Sequence, residues 1–165
     1  MEIKPLLIGL GTPQRLGLHF VELDFREQRV LVHIRIKDRW LQVDHFDCWF
    51  NRATLKRFAE QLRPWLTLRT HDAELNSDFA YMEINNFSLK LQVQGRSGDI
   101  QVVYALSSAD HARIEAAGDF AFNNDFLLQL IDETQHINEL FDQIWNDPAL
   151  LAAYPESYPL FEPFD

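Results

Sequence analysis

The densest set of side chains able to do chemistry is Asp44-His45-Phe46-Asp47-Cys48, which holds two carboxylates, an imidazole and the chain's one thiol. A cysteine near a histidine can form a nucleophile–base pair, and carboxylate, imidazole and thiolate are all metal ligands. Either use needs the donors to converge. A strand sends successive side chains to opposite faces, so Asp44, Phe46 and Cys48 share one side while His45 and Asp47 share the other. Cys48 and His45 therefore point apart. The sequence has no second Cys-x-x-Cys or histidine pair to complete a four-ligand set. The stretch reads as a surface strand with a buried cysteine, and neither metal nor cofactor is expected.

The other candidates are weaker. Gly9-Leu10-Gly11 lacks the third glycine and the strand-to-helix setting of a dinucleotide fingerprint, and reads as a loop. His111 and His136 are isolated in sequence. Asp132 and Glu133 adjoin, but in a chain with 25 acidic residues adjacency carries no signal of acid–base work. The parts of an enzyme are missing, so none is expected. Trp40, Trp49 and Trp65 read as core or rim residues, with interface anchors as the alternative, since tryptophan is enriched at binding hot spots.

The elements that position these residues follow from periodicity. Leu16, Leu18 and Phe20 alternate in a first strand ending near Asp24. In 28–37, Val30, Val32, Ile34 and Ile36 point one way and Arg29, His33, Arg35 and Lys37 the other, a strand with one wet face. After a turn at Lys37-Asp38-Arg39, residues 40–46 return as a third strand. Asn51 can cap a helix reaching about Leu66, with an apolar stripe of Leu55, Phe58, Ala59 and Leu62, basic residues Arg52, Lys56, Arg57 and Arg63, and Pro64 disturbing its last turn. Residues 66–76 read as a polar connection. A hairpin comes next, with strands over 79–84 and 87–93 and a turn at Asn85-Asn86; Ile100, Val102, Tyr104 and Leu106 mark the next strand, and 112–122 the last.

The best amphipathic helix lies within 118–148. Any of Asn123, Asn124 and Asp125 can cap it, and Leu127, Leu130, Ile131, Thr134, Ile137, Phe141, Ile144 and Trp145 fall on one side at about 100° per residue. Asp125, Asp132 and Glu139 line the opposite side with Asp142 near them, until Asp147-Pro148 stops the helix. No internal repeat is evident. Strands, helix, strands, helix gives an α+β fold: a mostly antiparallel twisted sheet or sandwich with two amphipathic helices packed on it. Residues 1–147 are expected to form a single domain. Residues 148–165, with Pro155, Pro159 and Pro163 among aromatics, are expected to form an extended acidic tail.

Charge divides the chain. Residues 115–165 carry eleven carboxylates and no Lys or Arg, whereas 1–113 hold fourteen carboxylates and all fifteen basic residues. The net charge of −10 argues against direct contact with nucleic acid or anionic membrane. No apolar run is long enough to span a bilayer. The N-terminal stretch has no basic n-region or cleavage site, and Cys48 alone cannot form an intramolecular disulfide. A cytoplasmic protein is expected.

The helix FNRATLKRFAEQL after paired strands, the hairpin AYMEINNFSLKLQVQ and the passage FAFNNDFLLQLIDE, with Asp125 near the start of the last helix, together cover about residues 16–140. Their order and character resemble the WapI family of bacterial immunity proteins, partners of polymorphic contact-dependent toxins. The resemblance implies a non-enzymatic cytoplasmic protein that binds one cognate toxin domain and blocks it. The acidic half is compatible, because toxins acting on nucleic acid carry basic surfaces. On this reading Asp132, Glu133, Glu139, Asp142, Asp147, Glu156 and Glu162 face the toxin's basic residues, with Tyr154 and Tyr158 as anchors. An acidic chaperone or adaptor for a secreted effector is the alternative.

Overall fold

The strands fall into two sets of four, each pairing in chain order. The computed structural model describes residues 3–78, 84–109 and 114–160. In the first set, β1 (Leu6–Ile8), β2 (Arg15–Asp24), β3 (Arg29–Lys37) and β4 (Gln42–Asn51) form an antiparallel sheet in that order. In the second, β5 (Ala73–Asn76), β6 (Asn85–Gln94), β7 (Asp99–Ser108) and β8 (Ile114–Ala121) do the same. Helix α1 (Arg52–Leu62) comes after the first sheet and α2 (Leu127–Trp145) after the second; α3 (Pro148–Ala153) and β9 (Ser157–Pro159) end the described chain. The architecture is α+β, as the alternation of strand and helix patterns predicts.

The strand alternation translates into burial. Val30, Val32, Ile34 and Ile36 of β3 turn inward, as do Ile100, Val102, Tyr104 and Leu106 of β7. They join the inner faces of both sheets and the helices in one continuous core. Helix α2 lays Phe141 edge-on against Phe20 of β2, ring centroids 5.3 Å apart, and its buried residues are the eight that its periodicity selects. Phe50 of β4 meets Phe87 of β6 at 6.3 Å where the sheets approach. No described helix is long and apolar enough to cross a membrane.

The two halves share one plan of four antiparallel strands and a helix, although the sequence shows no internal repeat. Both long hairpins, β2–β3 and β6–β7, turn through four residues, and the last of the four has positive φ in each: Gln28 at 51° and Gly98 at 71°. The last strand of each set, β4 or β8, runs into a Phe-Asn pair whose asparagine caps the next helical turn. The Asn51 side chain accepts from the N–H of Ala53 at 2.8 Å and that of Asn123 from Asp125 at 3.0 Å. The two helices carry opposite charge, Arg52, Lys56 and Arg57 on α1 against Asp132, Glu133, Glu139 and Asp142 on α2.

Other expectations change in detail. Strand β1 is not foreseen by periodicity, since three residues are too few to show a period. Residues 73–76 form β5 where a polar connection is expected. Asn85 and Asn86 stand in β6, paired with Ser108 and Ser107, rather than in a turn. Residues 79–83, in the expected partner strand, lie outside the described residues, as do His111 and the first residues of the expected last strand. Strand β4 runs on to Asn51, and Pro64 closes α1 with a 3-10 turn over Arg63–Leu66.

The expected extended tail has regular structure. The Asp147 side chain accepts from the N–H groups of Ala149 and Leu150, and Pro148 supplies a first-turn φ, so the proline that ends one helix starts the next. Strand β9 then pairs antiparallel with Glu22, Leu23 and Asp24 of β2, on an edge where Pro159 can be accommodated without its N–H. Leu160 ends the described chain 1% exposed.

Candidate functional site

The charge asymmetry becomes a surface only after internal bonds have claimed part of it. Helix α1 lies beside α2, and its basic residues meet the nearest carboxylate. Arg52 Nη2 lies 2.6 Å and Lys56 Nζ 3.1 Å from Asp142, while the Arg52 guanidinium also sits over the Trp145 ring at 4.9 Å. Burial pushes the Asp142 carboxyl up, but hydrogen bonds and charge from Arg52 and Lys56 outweigh it and hold the group below its ordinary value of 3.8. Asn138 adds hydrogen bonds to the carbonyls of Leu55, at 3.3 Å, and Thr134, at 2.9 Å. This side of α2 is an internal seam, and Asp142 belongs to it.

The remaining expected contact residues separate into two groups. Asp147 is spent on capping α3. Tyr158 pairs with Leu23 across β9 and β2 and packs on Phe25 at 6.4 Å. Glu156 forms a surface ion pair with Arg26 at 2.7 Å. Asp132 and Glu139 face solvent and Glu133 is half-buried. Gln129 donates to Glu133 at 2.8 Å and Gln135 to Glu139 at 3.0 Å, neutral contacts one helical turn apart that leave both charges uncompensated by those partners. Glu133 also lines a groove of about 400 Å³ between α2 and Ile3, Lys4 and Pro5. Tyr154 is exposed, its ring edge-on to Tyr158 at 5.1 Å. Glu162 lies outside the described residues.

Trp40, Trp49 and Trp65 take different roles, while Trp145, the fourth tryptophan, belongs to the buried face of α2. Trp65 is buried, as a core reading requires. Trp49 is half-buried beneath the Arg29 guanidinium, 4.7 Å from its ring centroid. Trp40, in the turn between β3 and β4, is 92% exposed, beside a cavity of about 570 Å³ bordered by Asp38, Arg39, Gln101 and Asp119. An exposed indole of that kind fits the anchor reading. The sequence pattern starts the third strand at Trp40, whereas β4 starts at Gln42 and leaves the indole in the turn.

On the outer face of the first sheet, Asp47 and His45 project together and Cys48 is buried on the opposite face, as alternation predicts. His33, which the sequence places only on a wet strand face, joins them from β3, directly across from Asp47. Comparison with protein-family profiles and with curated proteins finds no match to this chain.

Proposed function

We propose that this chain is an immunity-type inhibitor that binds a basic toxin domain through the outer face of α2. The observation that supports the reading is that Asp132 and Glu139 face solvent after Arg52 and Lys56 have been consumed by Asp142, with half-buried Glu133 beside them. Residues 115–165 contain no Lys or Arg, and Lys4 lines only the groove beside Glu133. A row of carboxylates on a rigid helix steers a cationic partner and accelerates encounter, while contributing less to the lifetime of the complex than apolar anchors do. Trp40 and Tyr154 are exposed aromatics of the anchor type. A cytoplasmic location and a single cognate partner belong to the same proposal.

The test is co-purification of the untagged chain from its host, then activity and binding measurements on the separated partner. The expected result is a stoichiometric basic domain that is inactive in the complex and toxic once released. Its association should slow by roughly tenfold or more in high salt and in the Asp132→Asn, Glu133→Gln, Glu139→Gln triple variant. A client held as an unfolded segment would replace this reading with the chaperone one. A folded partner bound equally well by the triple variant and at any salt concentration would refute the surface assignment.

A further inference from the structure

The outer face of the first sheet carries a cluster unrelated to the acidic helix. His33 of β3 stands directly opposite Asp47 of β4 in the strand register. His45 lies two residues earlier on β4, and the pairing slips there: Ile34 faces Phe46 but Ile36 faces Val43, so Asp44 and His45 together oppose Arg35. Such a bulge bends the strand and re-aims a side chain. Here it brings the His45 ring to 4.2 Å from the His33 ring, tilted by 43°. His33 Nδ1 contacts Asp47 Oδ1, and His45 Nε2 lies 3.0 Å from the same oxygen and 3.1 Å from Oδ2. Two imidazoles from separate strands thus converge on one carboxylate.

We propose that His33, His45 and Asp47 form a binding site for a divalent transition-metal ion, with zinc the best fit. The donor atoms all lie within 4.8 Å of one another. A tetrahedral ion with bonds near 2.1 Å holds its ligands about 3.4 Å apart, so the observed cluster needs only a small opening to admit one. Two nitrogens and one oxygen suit zinc, cobalt, nickel or copper, and are too few and too nitrogen-rich for calcium or magnesium. Each imidazole presents a lone pair to the ion by carrying its proton on the far nitrogen.

The site is open. His45 is 61% exposed, so water or a partner's side chain completes the coordination. His19 is across from His33 on β2, but its Nε2 leans over Gly17, which makes it a neighbour and not a fourth ligand. Arg35 and Asp44 flank the bulge with opposite charges. Cys48, on the buried face, does not compete for the ion. Because its ligands come from two strands, a bound ion cross-links β3 to β4 and stabilises the folded chain increasingly as its free concentration rises.

The experiment uses the untagged full chain, stripped with chelator, titrated with Zn²⁺ calorimetrically and with Co²⁺ by visible absorption. One equivalent should bind, with cobalt bands of a low-coordinate nitrogen–oxygen site and a rise in melting temperature. His45→Ala and Asp47→Asn should each weaken binding by at least about tenfold and abolish the rise. His71→Ala, which alters an exposed histidine on the connection before β5, should leave both unchanged. His45 is exposed enough that its variant keeps the fold, and circular dichroism checks this. Absence of saturable binding, or full affinity in both ligand variants, overturns the site whatever the fate of the inhibitor reading.

Discussion

Replacing Gly118 with alanine should break a tie between the two sheets. Tyr104 of β7 donates its hydroxyl hydrogen to Asp38 Oδ2 at 2.7 Å, and Asp38 lies in the turn between β3 and β4 of the other sheet. Gly118 is paired opposite Tyr104 in β8. A Cβ added there would come within 2.6 Å of Tyr104 Cζ, 2.8 Å of Asp38 Oδ2, and closer still to the hydroxyl. The ring is 1% exposed and cannot swing aside. Alanine therefore forfeits a hydrogen bond to a carboxylate, about 1.5–3 kcal/mol, and adds overpacking of about 1–3 kcal/mol. Tyr104→Phe forfeits the first contribution alone. In the double variant the hydrogen bond is lost only once and the worst overlap is gone, so the combined loss should fall short of additivity by at least the hydrogen-bond contribution of about 1.5–3 kcal/mol. Urea unfolding with constant slope reads all four forms. Additive losses, or a Gly118→Ala protein as stable as the parent, would refute the shared-hydroxyl reasoning. Burial, helped by Asp38, raises the Tyr104 pKa well above the ordinary 10. Its contribution to stability is accordingly full below pH 10 and lost as pH rises through the raised folded value, a decline that Tyr104→Phe should lack.

Three further outcomes test other parts of the structure. Gln28→Gly relieves a left-handed backbone at the position where the second half already has Gly98, and should gain about 0.5–1 kcal/mol in urea unfolding. Asp142→Asn should cost about 1 kcal/mol at neutral pH, the pair with Arg52 and Lys56 being partly screened. Because the folded pKa of Asp142 is depressed, this contribution is present above pH 3.8 and lost as pH falls through the folded value, so variant and parent should converge in acid melts. Leu160→Ala should cost about 2–4 kcal/mol, and a loss under about 0.5 kcal/mol would mean that the C-terminal segment does not share the core.

What the sequence reveals depends on how local the determining physics is. The buried face of α2 is legible to the residue because a 3.6 period over nineteen residues admits one solution. The cap at Asn51 and the turn at Gly95–Gly98 are equally local. Strands β1 and β5 are not, because three and four residues hold no period and owe their structure to the strands beside them. Asn85-Asn86 has turn chemistry, yet tertiary demand overrides it. Asn85 Nδ2 donates to the Asp47 carbonyl at 3.0 Å and its Oδ1 accepts from Ser108 at 2.7 Å, bridging the sheets from within a strand. Pro148 and Pro159 read as breakers in sequence, whereas position makes one a helix starter and the other an edge residue. Asp142 looks uncompensated in sequence because its partners lie 90 and 86 residues earlier in the chain. The His33–Asp47 pairing needs the hairpin register, and His45 needs the bulge, neither of which alternation alone supplies.

The pairing of β9 with β2 has a kinetic consequence. Among the described residues, every other strand neighbour in both sheets is also a neighbour in sequence, so each half can zip outward from its own turns with little loop entropy to overcome. Strand β9 must instead reach back to β2, near the beginning of the sequence, as the 130-residue separation of Arg26 and Glu156 measures. A contact that closes so long a loop carries a large entropic cost and is expected to form after the barrier. Weakening it should leave the refolding rate nearly unchanged and speed unfolding, which makes the last described residues the chain's latch against opening.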